Sequence, residues 1–450
     1  MVGTFLSEGD AYSCMQQVVK SFFLNRKCLS ATISKESICM GVEKGMESGD
    51  VVEVIWKGMR LTGTFISRDE NITVIKLNNG YNLSLDNNNI TAISLIKKYK
   101  ESFREMRIES GKGKTVHLIG TGGTIASYVD YETGAVKPLK TAQEVLYANP
   151  ALAEEANIEA EIAFNLFSED MLPENWVMIA RKIYDSMSDG SGVVVTHGTD
   201  TMTYTTSAIS FLIENPLKPI VFTASQRSSD RPSSDAYLNL LGAVKVAQSP
   251  INEVTIVMHS SIGDDRLTIL SGVRARKMHT SRRDAFRSVN SDPLGYIDEK
   301  MEIHWKKNIE PKKGEMKIYE RISNRVVLLY YYPGMSEEQV HRTLDGSEGA
   351  IVMGTGLGHV SNRLVSVFRE YVSSGNVMGM TSQCLYGAVN MNVYSTGREL
   401  LKAGVIPLGD MLPEVAFTKL SFLLGNFDAD YAKKLMPVNL RGELSERRTG

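Results

Sequence analysis

Val116-His117-Leu118-Ile119-Gly120-Thr121-Gly122-Gly123-Thr124-Ile125-Ala126-Ser127 runs an apolar, β-forming segment straight into a paired glycine turn flanked by hydroxyls. Two adjacent glycines let the chain take tight dihedrals and let a ligand approach the backbone with no Cβ in the way. Such a turn can present a threonine oxygen and backbone N–H groups. Taken alone it opens countless α/β units, and a plain turn is the commoner explanation.

Downstream, further apolar runs at 160–167, 192–196, 219–224 and 254–259 alternate with helical patterns at 174–187, 201–213 and 236–247. Strands separated by helices of this length predict a mostly parallel, doubly wound sheet over 115–305. Ligands of such sheets sit beyond the carboxyl ends of the strands, where Gly122 and Thr199 both fall. A polar linker at 306–325 precedes a smaller α/β unit at 326–440, with runs at 326–332, 350–353 and 377–380. The charged residues of 441–450 read as a frayed tail.

Upstream the pattern differs. Short β-rich runs joined by Lys57-Gly58 and by Asn78-Asn79-Gly80 predict a small β-barrel over 48–96, followed by a charged linker at 97–114. Residues 1–47 show no clear periodicity and are read as an N-terminal extension of unknown role.

The 450 residues are 42% hydrophobic and 23% charged, with a net charge of -2. That is the balance of a soluble multidomain protein with no overall drive toward nucleic acid or a membrane. The start resembles no secretory signal and no apolar run reaches about 18 residues, so a cytoplasmic location is expected. Cys14, Cys28, Cys39 and Cys384 form neither a disulfide framework nor a metal-ligand spacing, so reduced thiols and no metal are expected. Cys384 reads as a small buried side chain.

A second hydroxyl-rich turn, Thr196-His197-Gly198-Thr199-Asp200-Thr201, follows the strand at 192–196. His197 has no partner at ligand spacing, which favours a structural hydrogen bond over a metal or base role. Asp200 is either a helix N-cap or a site carboxylate. The run Arg276-Lys277-Met278-His279-Thr280-Ser281-Arg282-Arg283-Asp284 is dense in cations, ordinarily a solvated face. A lysine amine near Thr199 and Asp200, however, can accept a threonine proton once desolvation lowers its basicity.

In that order, Thr-Gly-Gly-Thr-Ile-Ala at 121–126, His-Gly-Thr-Asp-Thr at 197–201 and Lys277 resemble the L-asparaginase/glutaminase family of threonine amidohydrolases. Ser168-Glu169-Asp170-Met171 resembles its substrate-binding Ser-Gln-Asp-Met, with Glu169 in place of glutamine. The resemblance covers roughly 115 to 428. It implies an asparaginase-like two-domain α/β fold, Thr124 as the first catalytic threonine and Thr199 as the second, with Asp200 and Lys277 as the activating group. It also implies that Ser168, Glu169 and Asp200 bind the amino-acid end of the substrate, and that Tyr131 is a candidate lid residue. Which threonine forms the acyl intermediate stays open.

Gly49-Asp50, the segment 75–82, the run 277–286 and Tyr394-Ser395-Thr396-Gly397-Arg398 further resemble the D-type subunits of archaeal glutamyl-tRNA(Gln) amidotransferases. That resemblance implies release of ammonia from glutamine and its transfer to an E-type partner subunit. The partner would use ATP and Mg to convert Glu-tRNA(Gln) to Gln-tRNA(Gln), within a heterotetramer built on a homodimer. The chain itself would need no cofactor, and Gly354-Thr355-Gly356-Leu357-Gly358 lacks the lysine of a phosphate loop. A free cytoplasmic L-asparaginase explains the catalytic motifs but leaves the barrel without a use. An RNA- or protein-binding module on an inactive amidase fold is opposed by intact Thr124, Thr199, Asp200 and Lys277.

Overall fold

A computed structural model describes residues 46–47, 49–77, 82–98, 113–122, 127–129, 136–138, 152–227, 234–306 and 314–445. Thr124, Tyr131, the extension before residue 46 and the Asn78-Asn79-Gly80 turn lie outside the described residues. So does most of the charged linker. The described residues fall into two compact units that part between Lys100 and Glu101.

The first unit is an antiparallel sheet of β1 (Val51–Trp56), β2 (Met59–Arg68), β3 (Ile72–Leu77), β4 (Asn82–Asp86) and β5 (Ile90–Lys97), in the order β4-β3-β2-β1-β5. Alternation puts Val52, Val54, Phe65, Ile75, Leu85 and Ile93 into one small core. Lys57 and Gly58 both take positive φ, 51° and 77°, as a two-residue hairpin turn requires to match the strand twist. Buried Asp50 binds Lys98 Nζ at 3.1 Å, joining the two ends of this unit.

The second unit begins with β6 (Thr115–Gly120), the hairpin β7 (Ser127–Val129) and β8 (Val136–Pro138), helix α1 (Leu152–Glu155) and β9 (Asn157–Ile162). Then follow α2 (Pro173–Ser186), β10 (Gly192–Thr196), α3 (Met202–Leu212), β11 (Ile213–Glu214), β12 (Ile220–Thr223), α4 (Ala236–Ala247) and β13 (Val254–His259). Beyond them come β14 (Leu267–Ser271), the ribbon β15 (Ala275–Lys277) and β16 (Phe286–Ser288), β17 (Gly295–Ile297) and β18 (Ile303–Trp305). The main sheet runs β18-β17-β14-β13-β12-β10-β6-β9, parallel from β13 to β9 and antiparallel beyond β13. Its central strands are apolar without alternation because both faces are covered, as Gly192–Thr196 and Val254–His259 show by being wholly buried.

The chain steps from β6 outward to β9 and then crosses back to β10 on the other side of β6. The strand order therefore switches at β6, opening a crevice at the carboxyl ends of β6 and β10. The predicted strand over 160–167 is displaced: it ends at Ile162. Ala163 N–H donates to Gly120 O at 2.8 Å and the chain leaves the sheet, exposing Phe167.

The small lobe is a wholly parallel sheet, β20 (Val326–Tyr330), β21 (Gly349–Gly354), β22 (Val377–Ser382) and β23 (Ile406–Pro407), with α5 (Glu337–Leu344), α6 (Val365–Ser373), α7 (Ser395–Lys402), α8 (Pro413–Asn426) and α9 (Ala429–Leu435). The segment ahead of it is no free linker, because β19 (Lys317–Ile318) pairs with β11 and Tyr319 packs edge-on to Phe422 at 5.1 Å. Helix α3 is buried all round, and its small Thr, Ser and Ala residues let α8 approach closely. Phe211 stacks on Phe422 at 5.9 Å and Ser207 Oγ lies 2.5 Å from Thr418 Oγ1. The two lobes therefore share one apolar core.

Two expectations fail here. Cys384 is exposed rather than buried, because it stands in the turn after β22. The start of the supposed frayed tail is anchored: Glu443 is fully buried against Lys419 of α8, at 2.6 Å. Arg441 Nε also donates to Ser210 O at 2.8 Å. Lys419 donates further to Met436 O and Val438 O, and Glu443 accepts from the Leu440 and Arg441 N–H groups. Burial alone would raise the Glu443 carboxyl, but Lys419 and those N–H donors outweigh it and hold it below its usual range. Among the described residues no helix is long and apolar enough to cross a membrane.

Candidate active site

Two strand ends build the floor of the crevice. Thr121, the first residue past β6, donates from its hydroxyl to Thr196 O at 2.9 Å and from its N–H to the same carbonyl at 3.1 Å, stitching β6 to β10. Gly122 then takes a φ of 109°, and a Cβ there would stand 2.2 Å from Leu166 O, so only glycine fits. Gly198 is also crowded, since a Cβ would stand 2.7 Å from Ser168 Cβ. These contacts press the three turns together.

Ser168 opens a one-turn 3-10 helix, Ser168–Asp170, and is buried, whereas Glu169 and Asp170 are exposed. Thr201 Oγ1 donates to Ser168 O at 2.6 Å, fixing the turn to the strand end that carries Thr199. Glu169, which stands where the resembled motif has glutamine, is exposed on that turn.

His197 is buried beneath the site. Its Nδ1 lies 2.7 Å from Gly198 O and its Nε2 lies 2.9 Å from Thr205 Oγ1, which also accepts from Trp176 Nε1 at 3.0 Å. A carbonyl can only accept, so Nδ1 carries the proton and Nε2 accepts from the Thr205 hydroxyl. Burial pushes the imidazole down to about 4, which keeps it neutral. The structural reading of His197 therefore holds over a metal or base role.

Lys277 closes the constellation from the β15–β16 ribbon. Its Nζ donates to Thr199 Oγ1 at 2.8 Å and to Asp200 Oδ1 at 2.8 Å. The lysine side chain is 13% exposed and the carboxylate 69%. Asp200 is not the cap of α3, because Thr201 holds that position without a side-chain capping bond. The cation-rich run that follows is a solvated face only in part: residues 279–282 are exposed, but Arg283 and Asp284 are buried, with Asp284 bound by Arg282 and Arg287 and Arg283 bound to Asp264.

The structure brings Thr199, Asp200 and Lys277 into direct contact and sets Ser168 against Gly198 beside them. Sequence reasoning missed the ion pairs flanking Lys277, Arg274 with Asp410 and Arg276 with Glu414, each at 2.9 Å. Partners more than 130 positions apart leave no local signal. It also missed the buried network of Asp235, Asn239 and His259 at the carboxyl end of β13.

A switch-point crevice holding a threonine hydroxyl, a carboxylate and a lysine amine in mutual contact, on a large lobe backed by a smaller parallel one, defines an asparaginase-type amidohydrolase. Family models agree: residues 115–310 match the asparaginase N-terminal domain and 325–436 the glutaminase/asparaginase C-terminal domain. The L-asparaginase of Thermococcus kodakarensis superposes with a TM-score of 0.68 at 33% identity, over 74% of this chain and 100% of its own. L-asparaginase I of Vibrio cholerae gives 0.65 at 31%, over 74% and 99%.

Residues 46–96 match a further model, the GatD N-terminal domain. The D-type glutamyl-tRNA(Gln) amidotransferase subunit of Saccharolobus islandicus is 45% identical over 418 residues, 90% of this chain and 94% of the relative. That of Sulfolobus acidocaldarius is 46% identical over 411 residues, 89% and 92%. The chain belongs to the family of D-type glutamyl-tRNA(Gln) amidotransferase subunits.

Proposed function

We propose that this chain is the glutamine-hydrolysing subunit of a tRNA-dependent amidotransferase, releasing ammonia at a threonine site for a partner that amidates Glu-tRNA(Gln). The observation that carries the chemistry is the Lys277 amine, 2.8 Å from both Thr199 Oγ1 and Asp200 Oδ1. Membership of the D-type family and the match of residues 46–96 favour the tRNA-linked reaction over a free asparaginase.

A hydroxyl is a weak nucleophile until a base takes its proton. Lys277 serves as the base that accepts the Thr199 proton, and Asp200 stabilises the ammonium that results. Thr124, whose role is carried over from the sequence motif, is the other hydroxyl of the site. Attack on the glutamine amide carbon forms a tetrahedral oxyanion. Its collapse breaks the C–N bond as the nitrogen takes a proton and leaves as ammonia, and water then hydrolyses the acyl-threonine. Ser168 and Asp200 hold the α-carboxylate and α-ammonium of the substrate, and Tyr131 is the candidate lid. The partner is an E-type amidotransferase subunit that uses ATP and Mg, the assembly is a heterotetramer on a homodimer, and the reaction is cytoplasmic.

The test is ammonia release from glutamine and from asparagine by the purified chain, with and without the partner protein and Glu-tRNA(Gln). Glutamine turnover that rises with both supports the proposal. Rapid asparagine turnover with no dependence on either refutes it in favour of a free asparaginase.

A further inference from the structure

Lys277 does not sit on the main sheet. It ends β15, a three-residue strand whose ladder partner among the described residues is β16 alone, so the base is carried on a two-stranded arm. Side chains alternate along a strand, so Arg276 faces opposite to Ala275 and Lys277, while Arg274 stands in the turn just before β15. Ala275 is buried in the core and Lys277 reaches Thr199. Both arginines run to the small lobe, Arg274 to Asp410 and Arg276 to Glu414, each at 2.9 Å.

The two acceptors stand four positions apart across the start of α8, and Leu412 and Val415 fix that start in the shared core. Arg274 has further acceptors in Gly442 O at 2.7 Å and Ser445 Oγ at 3.1 Å, so the root of the arm is held several times over. Arg276, next to Lys277, is held by Glu414 Oε1. Glu414 is only 8% exposed, and its Oε2 is buried with no hydrogen-bond partner. Tyr204 of α3, the helix that follows Asp200 and Thr201, packs edge-on to Phe417 of α8 at 6.0 Å. Burial is the main cause that pushes the Tyr204 hydroxyl up to about 12, and it feels both members of the pair, with Glu414 raising it further and Arg276 lowering it. Glu414 therefore lies between the arm that bears Lys277 and the helix that starts beside Asp200.

We propose that Arg276 and Glu414 are a positioning pair for the glutaminase reaction, through which the small lobe holds the Lys277 amine against Thr199 and Asp200. The proposal rests on the glutaminase reading above. A charge placed one residue from the base controls the last peptide of the arm, and a shift of about 1 Å at a reacting group can cost about 100-fold in rate. Because Arg274 keeps its own three acceptors, the arm stays attached when Glu414 is lost.

The test uses the full chain with its partner protein and follows ammonia release from glutamine, amidation driven by added ammonium, and the thermal midpoint. Glu414→Ala is expected to lower kcat about 10- to 100-fold with KM changed less than about threefold, while ammonium-driven amidation is kept. Arg276→Met should do the same, the double variant should be no worse than the worse single, and Glu414→Gln should recover most of the rate. A kcat for Glu414→Ala within about twofold of the parent, additive losses in the double variant, or a parallel loss of ammonium-driven amidation would each overturn the positioning role. A parent complex that releases no ammonia from glutamine refutes the glutaminase reading, and the pair's role with it.

Discussion

Replacing Lys277 with methionine separates catalysis from stability, because the structure sets the two costs far apart. The ammonium is paired with an Asp200 carboxylate that is 69% exposed, and such a pair contributes at most about 1 kcal/mol. The hydrogen bond to Thr199 adds about 1 kcal/mol. Methionine keeps the apolar stem, so the total loss is about 1–2 kcal/mol and the midpoint falls by only a few degrees. As a base, the same amine is worth about 10²- to 10⁴-fold in rate, or about 3–5 kcal/mol of barrier. The assay is ammonia release at saturating glutamine, with the melting midpoint and ammonium-driven amidation measured on the same preparation. The expected result is kcat lower by about 10³-fold, with the other two readouts nearly unchanged. A loss smaller than about tenfold would show that Thr199 is activated by another group, and a midpoint lower by more than about 10 °C would show that Lys277 is a structural tie.

Further outcomes follow from the same geometry. Gly122→Ala must put a Cβ 2.2 Å from Leu166 O at a φ of 109°, so it should cost about 2–4 kcal/mol in chemical unfolding and abolish glutamine turnover. Glu443→Leu strands the fully buried Lys419 ammonium and should cost about 3–5 kcal/mol, while adding Lys419→Met should restore most of it; equal losses in the single and double variants would contradict an ion-pair origin. His197, lowered by burial from 6.5 to about 4, binds its proton more readily in the unfolded chain. Its contribution is therefore whole above pH 6.5 and lost as pH falls from 6.5 toward 4, by about 3 kcal/mol in all, and a His197→Asn variant should show a flatter stability profile across that window.

What the sequence could reveal was what local pattern controls. Strands Gly192–Thr196 and Val254–His259 were readable to the residue because a strand buried on both faces is mostly apolar and lacks the polar alternation of a half-exposed one. Helix α4 was readable for a related reason, being bounded by polar residues at both ends. The segment 163–167 misled because Ala163, Phe164, Leu166 and Phe167 look like more strand, whereas β9 stops at Ile162, with the Ala163 and Phe164 N–H groups both on the Gly120 carbonyl. Charge misled at Arg441 to Ser445 and at Arg282 to Arg287, where each cation or anion meets a partner far off in sequence or folded back beside it. Without the partner in view, a buried ion pair and a solvated charge read alike. The contact of Lys277 with Thr199 spans 78 positions and was reached only through the order of the motifs.

The unequal exposure of the two ions at the site bears on how Asp200 can hold two proposed roles at once. Its Oδ1 takes the Lys277 ammonium, whose stem is shielded and whose position is set by the arm. Its other oxygen has no partner among the described residues, and the side chain is 69% exposed, so a substrate ammonium can approach it from the open side of the crevice. A carboxylate accepts from several directions, so binding and activation need not compete for the same lone pairs.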